Sequence, residues 1–255
     1  MFGLFRSRAP RPVAATHLDV AHDGETYRVA LKRVATARRF TLRVRSATRD
    51  VVLTIPPRGS LVAAREFAAR HAAWIGARLA RLPQTIPLVP GARLPLRGVE
   101  HVVASRPRGR GAVWIETANG DDAPLLCVTG DDAHAERRIR DYLKRQARLD
   151  LAAAVARHTA ALGLPTRTIG LRDTTSRWGS CSATGSLNFS WRLIMAPPFV
   201  LDYLAAHEAA HLVHLDHSPK FWAVARRLSP DVDRAEAWLK AHGAGLHRFG
   251  VKSKG

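Results

Sequence analysis

A chain of 255 residues that is 46% hydrophobic can bury a core as one large domain or two small ones. Its formal charge of +19 favours acidic partners, nucleic acid first and an anionic membrane surface second, although a compositional bias toward Ala and Arg explains that charge equally well. No repeat recurs at a fixed period, no uncharged apolar run reaches about 18 residues, and Cys127 and Cys181 form neither a CxxC nor a disulfide framework; repeat arrays, membrane-spanning helices and disulfide scaffolds are excluded, and a reducing cytoplasm is the expected compartment.

Residues 1–14 read as a disordered basic arm, without the apolar run of a signal peptide. From His17 to Pro57 the texture is that of β-strands in a meander. In "RFTLRVRS", Phe40, Leu42 and Val44 fall on one face and Arg39, Thr41, Arg43 and Arg45 on the other. A solvated outer face accounts for these arginines; the sharper alternative is a basic surface in which Arg39, Arg43 and Arg45 meet the phosphates of DNA or RNA.

An amphipathic helix is expected over 61–82, capped by Ser60 and stopped by Pro83, with Phe67, His71, Trp74, Ile75 and Leu79 toward the core. A Pro-rich connection then leads to short strands at 99–104, 113–116 and 125–128. A second helix begins after Asp131–Asp132 and is ended by Gly163 and Pro165; at 1.5 Å per residue it is roughly 45 Å long. Two strand-like stretches, "TRTIGLRDTTSRWGSC" and "GSLNFSWRLIMAP", precede final helices over 198–215, 219–227 and 232–242. The boundaries are an arm at 1–14, a β-rich accessory region at 15–130, a second domain at 131–245 and a basic tail at 246–255.

The chemistry concentrates in "DYLAAHEAAHLVHLDHSPKFW". His207 and His211 are four apart on a helix, so their side chains leave the same face one turn apart and can grip one cation. Glu208 stands beside the first imidazole, where a carboxylate can contact metal-bound water. This HExxH spacing gives two zinc ligands and a general base. Leu201, Leu204, Ala205, Leu212 and Leu215 suggest a largely buried helix, where coordination satisfies otherwise costly imidazoles. For a third ligand the order is His217, brought back by a turn before Pro219, then Glu236, then His214. His214 shares the stripe but lies too far along a straight helix to close round the same ion.

The ordered elements Arg177–Cys181 (RWGSC), Asn188 and Trp191, Pro197 and Tyr203, His207–His211, and His217–Ser218 with Phe221–Trp222 resemble the signature of the YgjP-like predicted zinc metallopeptidases, which are related to the SprT/Spartan-like peptidases. The resemblance is close over residues 167–238 and looser upstream. Ala209 and Asp216 stand where Leu and Asn are usual, and His214 where the longer HExxHxxGxxH pattern has glycine. The resemblance implies an α+β chain: the β-rich meander with its helix, then a compact zincin-like domain of a long backing helix, a small antiparallel sheet, the HExxH helix and C-terminal helices. It implies one Zn2+ held by His207, His211 and His217, with Glu208 catalytic.

The expected reaction is hydrolysis of a peptide bond by zinc-activated water, Glu208 moving the proton to the leaving amine. The oxyanion donor is left open among Tyr203, His214 and Arg177. A sheet edge before the HExxH helix can take an extended peptide substrate as an added strand. Phe221 and Trp222 pin the turn, Trp178 anchors the core, Gly179 makes a turn, and Cys181 is a small hydrophobe. Two rival readings are a nucleic-acid-associated protease held by its basic N-terminal region, and a non-enzymatic zinc-stabilised module. No membrane partner is expected.

Overall fold

The computed structural model describes residues 16–45, 49–82, 84–109, 111–117, 122–165, 167–174 and 177–250. The basic arm at 1–14 and the end of the tail at 251–255 lie outside them. The chain is α+β and divides into two compact units, Met1–Leu82 and Pro83–Gly255. Among the described residues no helix is long and apolar enough to cross a membrane.

In the first unit, β1 (His17–His22) and β2 (Glu25–Arg33) form an antiparallel hairpin. Asp23 and Gly24 both take positive φ, 49° and 76°, which is the backbone a two-residue hairpin turn demands. Two further strands, β3 (Thr41–Val44) and β4 (Val51–Ile55), complete a sheet ordered β1-β2-β4-β3. β3 pairs antiparallel with β4, the strand that follows it, but not with β2, which lies parallel to β4. The strand sequence is therefore not a pure meander, and β3 ends up at an edge. Its alternation is as read: Phe40, Leu42 and Val44 pack against the core while Arg39, Arg43 and Arg45 are exposed.

The helix expected over 61–82 is two helices, α1 (Leu61–Arg70) and α2 (Ala72–Ala80). Ser60 caps the first, accepting from the Ala63 N–H at 3.0 Å. The break is at His71, whose ring hydrogen-bonds the Phe67 carbonyl at 2.8 Å while its own N–H turns to Ala68. Side chain thus replaces backbone at the Phe67 acceptor. Ala64, Ala68, Ala72 and Ile75 form the stripe that meets Leu18, Val20, Val29, Val51, Leu53 and Ile55. Trp74 is two residues, about 200°, round from Ala72 and is 46% exposed, not a core residue.

The second unit begins with a sheet ordered β5-β6-β8-β7, comprising β5 (Arg93–Leu96), β6 (Val99–Arg106), β7 (Val113–Glu116) and β8 (Leu125–Thr129). The long helix α3 (Asp132–Ala161) is capped by Asp131 and followed by Gly163 at φ +68°. Its buried stripe, Ala135, Ile139, Leu143, Ala147, Leu151 and Val155, shares one core with Leu94, Leu96, Val103 and Leu126 of that sheet and with Leu201 and Leu204 downstream. Strands β5–β8 therefore pack with the long helix, and the division into compact units falls at Leu82/Pro83 instead of near residue 130.

A three-stranded sheet, ordered β10-β11-β9, follows: β9 (Ile169–Arg172), β10 (Gly179–Cys181) and β11 (Leu187–Ser190). It is mixed, with β10–β11 antiparallel and β11–β9 parallel. Three helices close the unit: α4 (Pro198–Ala210), α5 (Pro219–Leu228) and α6 (Val232–Leu246). α4 is buried nearly all round, with nine of its 13 residues inside. Pro198 and Pro219 stand at the first positions of α4 and α5, where a missing N–H costs nothing.

Candidate metal centre

The HExxH segment lies on the last turn of α4, which stops at Ala210, five residues before the expected end. That early stop shapes the site. The chain after His211 winds tightly, with the N–H groups of Leu212, Val213 and His214 bonded to Ala209, Ala210 and Ala210. This brings the His214 carbonyl to 3.0 Å from His211 Nδ1. The Nδ1–H donates to the carbonyl, leaving Nε2 as the free ligand atom, the arrangement that orients metal-bound imidazoles. His214 thus serves the site through its backbone. Leu215, expected inside, is 69% exposed because the helix has already ended.

His207 is held from the opposite side. Its Nδ1 lies 3.3 Å from the Tyr203 hydroxyl, one turn earlier on α4, and that hydroxyl donates to Glu236 Oε1 on α6 at 2.9 Å. Glu236 thus stands behind Tyr203 and outside the group of ligand atoms. Burial, with Glu236 beside it, pushes the Tyr203 hydroxyl well above the ordinary phenol range. It stays protonated.

His217, on the loop before α5, swings back so that its Nε2 is 3.1 Å from His207 Nε2. Ligand nitrogens of His207, His211 and His217 all fall within 4.8 Å of one another. Tetrahedral zinc with bonds of 2.0–2.1 Å sets neighbouring nitrogens about 3.3–3.4 Å apart, so the His207–His217 spacing suits an ion between them. Burial first, then His211 and His217, hold His207 down to about 4, and burial lowers His211. Neutral imidazoles are the form a metal binds.

Phe221, fully buried on α5, touches all three rings, with centroids 4.9 Å from His207, 4.4 Å from His211 and 4.8 Å from His217. Trp222 lies 5.9 Å from His207 and 5.8 Å from His217. The Phe-Trp pair therefore packs on the histidine rings themselves, as well as on the turn.

Glu208 is 5% exposed, and its Oε2 has no hydrogen-bond partner. Burial pushes its carboxyl up to about 7, with Arg177 pulling the other way. A buried oxygen without a partner beside three converging imidazoles fits a site that takes a cation and water. Gly179, on edge strand β10, makes room for that carboxyl: a Cβ there would come within 2.3 Å of Glu208 Oε1. The sequence reading took Gly179 for a turn residue. The RWGSC motif marked the position without showing that its partner is Glu208.

The rest of the motif supports the same corner. Trp178 stacks on His247 at 4.7 Å. Arg177 is exposed, its carbonyl accepting from the Thr174 hydroxyl at 2.8 Å. Burial, then Glu208, raise the Cys181 thiol, which keeps it protonated.

Comparison with known proteins gives one family: the model of the YgjP-like, metallopeptidase domain matches residues 38–242. No curated protein and no solved structure matches.

Proposed function

Because the chain belongs to the YgjP-like metallopeptidase-domain family, which matches it over residues 38–242, we propose that it is a zinc-dependent peptidase centred on His207, His211, His217 and Glu208. The observation that carries this reading is the convergence of three imidazole nitrogens beside a buried carboxyl with an unpartnered oxygen. Among the described residues the cluster offers three donors, the number a catalytic zinc takes, whereas a purely structural zinc takes four.

Zinc, when bound by the three imidazoles, lowers the pKa of water and polarises a carbonyl oxygen. The protein's own groups do the remainder. Glu208, held near 7, takes the proton of the attacking water and returns it to the leaving amine nitrogen; the C–N bond breaks, and a carboxylate and an amine result. β10 is the edge strand next to Glu208, so a substrate peptide paired along it passes the catalytic carboxyl in extended form. Of the three candidates for the oxyanion donor, Tyr203 is occupied by Glu236 and His207, and His214 contributes its carbonyl to His211. Arg177, exposed and with its charge felt at Glu208, is the donor we assign.

The test is Glu208→Gln, with zinc content and cleavage of a denatured protein measured on both forms. The variant is expected to keep one zinc per chain and lose activity by about 10²–10⁴-fold. Full activity in the variant rejects the assignment.

A further inference from the structure

The first unit carries sixteen Lys and Arg against five Asp and Glu over residues 1–82. Three of those arginines meet in one groove. It has a volume of about 420 Å³ and runs between edge strand β3 and the outward face of α2, with Leu42, Arg43 and Val44 on the strand and Trp74, Arg78 and Arg81 on the helix. Trp74, Arg78 and Arg81 are spaced i, i+4, i+7, so they form one stripe along α2 and its C-cap. Among the described residues no carboxylate lines the groove, and none of the three guanidinium groups has a hydrogen bond or ion pair.

The indole is the second observation. A tryptophan 46% exposed, on a helix whose inward stripe is already filled by Ala72 and Ile75, contributes little to the core and keeps apolar area in water. Unpaired cations beside an exposed aromatic face form a surface for a ligand that alternates negative charge with flat rings. In duplex form those rings are stacked and hidden; in a single strand a base can lie on the indole. An acidic peptide would engage the arginines and leave Trp74 unused. Arg39 and Arg45, grouped with Arg43 in the sequence reading, are exposed but do not line the groove.

We propose that this groove binds single-stranded nucleic acid, with a base stacked on Trp74 and the flanking phosphates held by Arg43, Arg78 and Arg81. The site belongs to the first unit alone, and stands whether or not the metal centre cleaves peptides.

The experiment is fluorescence anisotropy of a labelled twelve-residue oligothymidylate with the full chain across a salt series. The variants are Trp74→Ala, the pair Arg78→Gln with Arg81→Gln, and a control pair Arg58→Gln with Arg65→Gln, exposed residues of the same unit outside the groove. Trp74→Ala is expected to weaken binding between about fivefold and a hundredfold. The groove pair is expected to flatten the slope of log affinity against log salt by about 0.7 per arginine removed. Because the altered side chains are exposed, circular dichroism is expected to be unchanged. The proposal is overturned if Trp74→Ala binds like the parent, if the control pair loses as much as the groove pair, or if a duplex or polyglutamate binds more tightly than the oligothymidylate.

Discussion

At the scale of single residues, the site depends on an absence as much as on its ligands. Gly179 has no side chain where a Cβ would stand 2.3 Å from Glu208 Oε1. Gly179→Ala must therefore displace the carboxyl, and a misplacement on the order of 1 Å costs about a hundredfold in rate. We expect kcat to fall by ten- to a hundredfold while zinc content is unchanged, since the three atoms nearest that Cβ all belong to Glu208. Unaltered kcat would show that the carboxyl moves without consequence. The histidine pair and its glutamate were legible in the sequence because their chemistry is written in local spacing. Gly179 was not, since its partner is 29 positions later and the two meet only when β10 is laid against α4.

At the scale of elements, three helices assemble the centre. α4 supplies His207 and, at its C-cap, His211, the turn into α5 returns His217, and Phe221 on α5 packs against all three rings. α6 takes part indirectly, through Glu236 and the Tyr203 hydroxyl. Tyr203→Phe removes the hydroxyl and keeps the ring. It is expected to weaken zinc binding about 10–100-fold, as measured by competition with a chelator, with the fold intact by circular dichroism. Affinity equal to the parent would mean that the Tyr203–Glu236 bond only ties α4 to α6. Sequence periodicity ran α4 on to residue 215 because Leu212 and Leu215 continue its apolar rhythm. The helix stops at Ala210, and the tight turn that follows gives His211 a carbonyl to bond, an exchange that lies beyond any apolar pattern.

At the scale of the whole molecule, stability should depend on pH through buried imidazoles. His247, 7% exposed and stacked on Trp178, is held down to about 4, first by burial and then by Arg192, with Asp173 opposing. An unfolded histidine takes its proton near 6.5. The unfolded chain thus binds more protons between these values, and stability present above about 6.5 is lost as pH falls toward 4, by at most about 3 kcal/mol from this group. In metal-free protein His207 adds a loss of the same sign. His247→Phe keeps the stacking and removes the titration; urea midpoints at pH 7.5 and 4.5 are expected to lie closer together than in the parent. An equal separation would mean that His247 is already charged in the fold.

The amino-acid sequence by itself determined the helix limits at Ser60, Asp131 and Gly163, the alternation of β3, and the placing of His207 and His211 one turn apart, because each depends on neighbours within about one turn. It also marked His217 as a candidate among others. Only the tertiary structure decided that His217 turns back to His207 while Glu236 stands behind Tyr203, that β4 lies between β2 and β3, and that β5–β8 pack on α3. These depend on which surfaces bury one another. Burial is a property of distant pairs, and a linear pattern records each partner without recording the pairing.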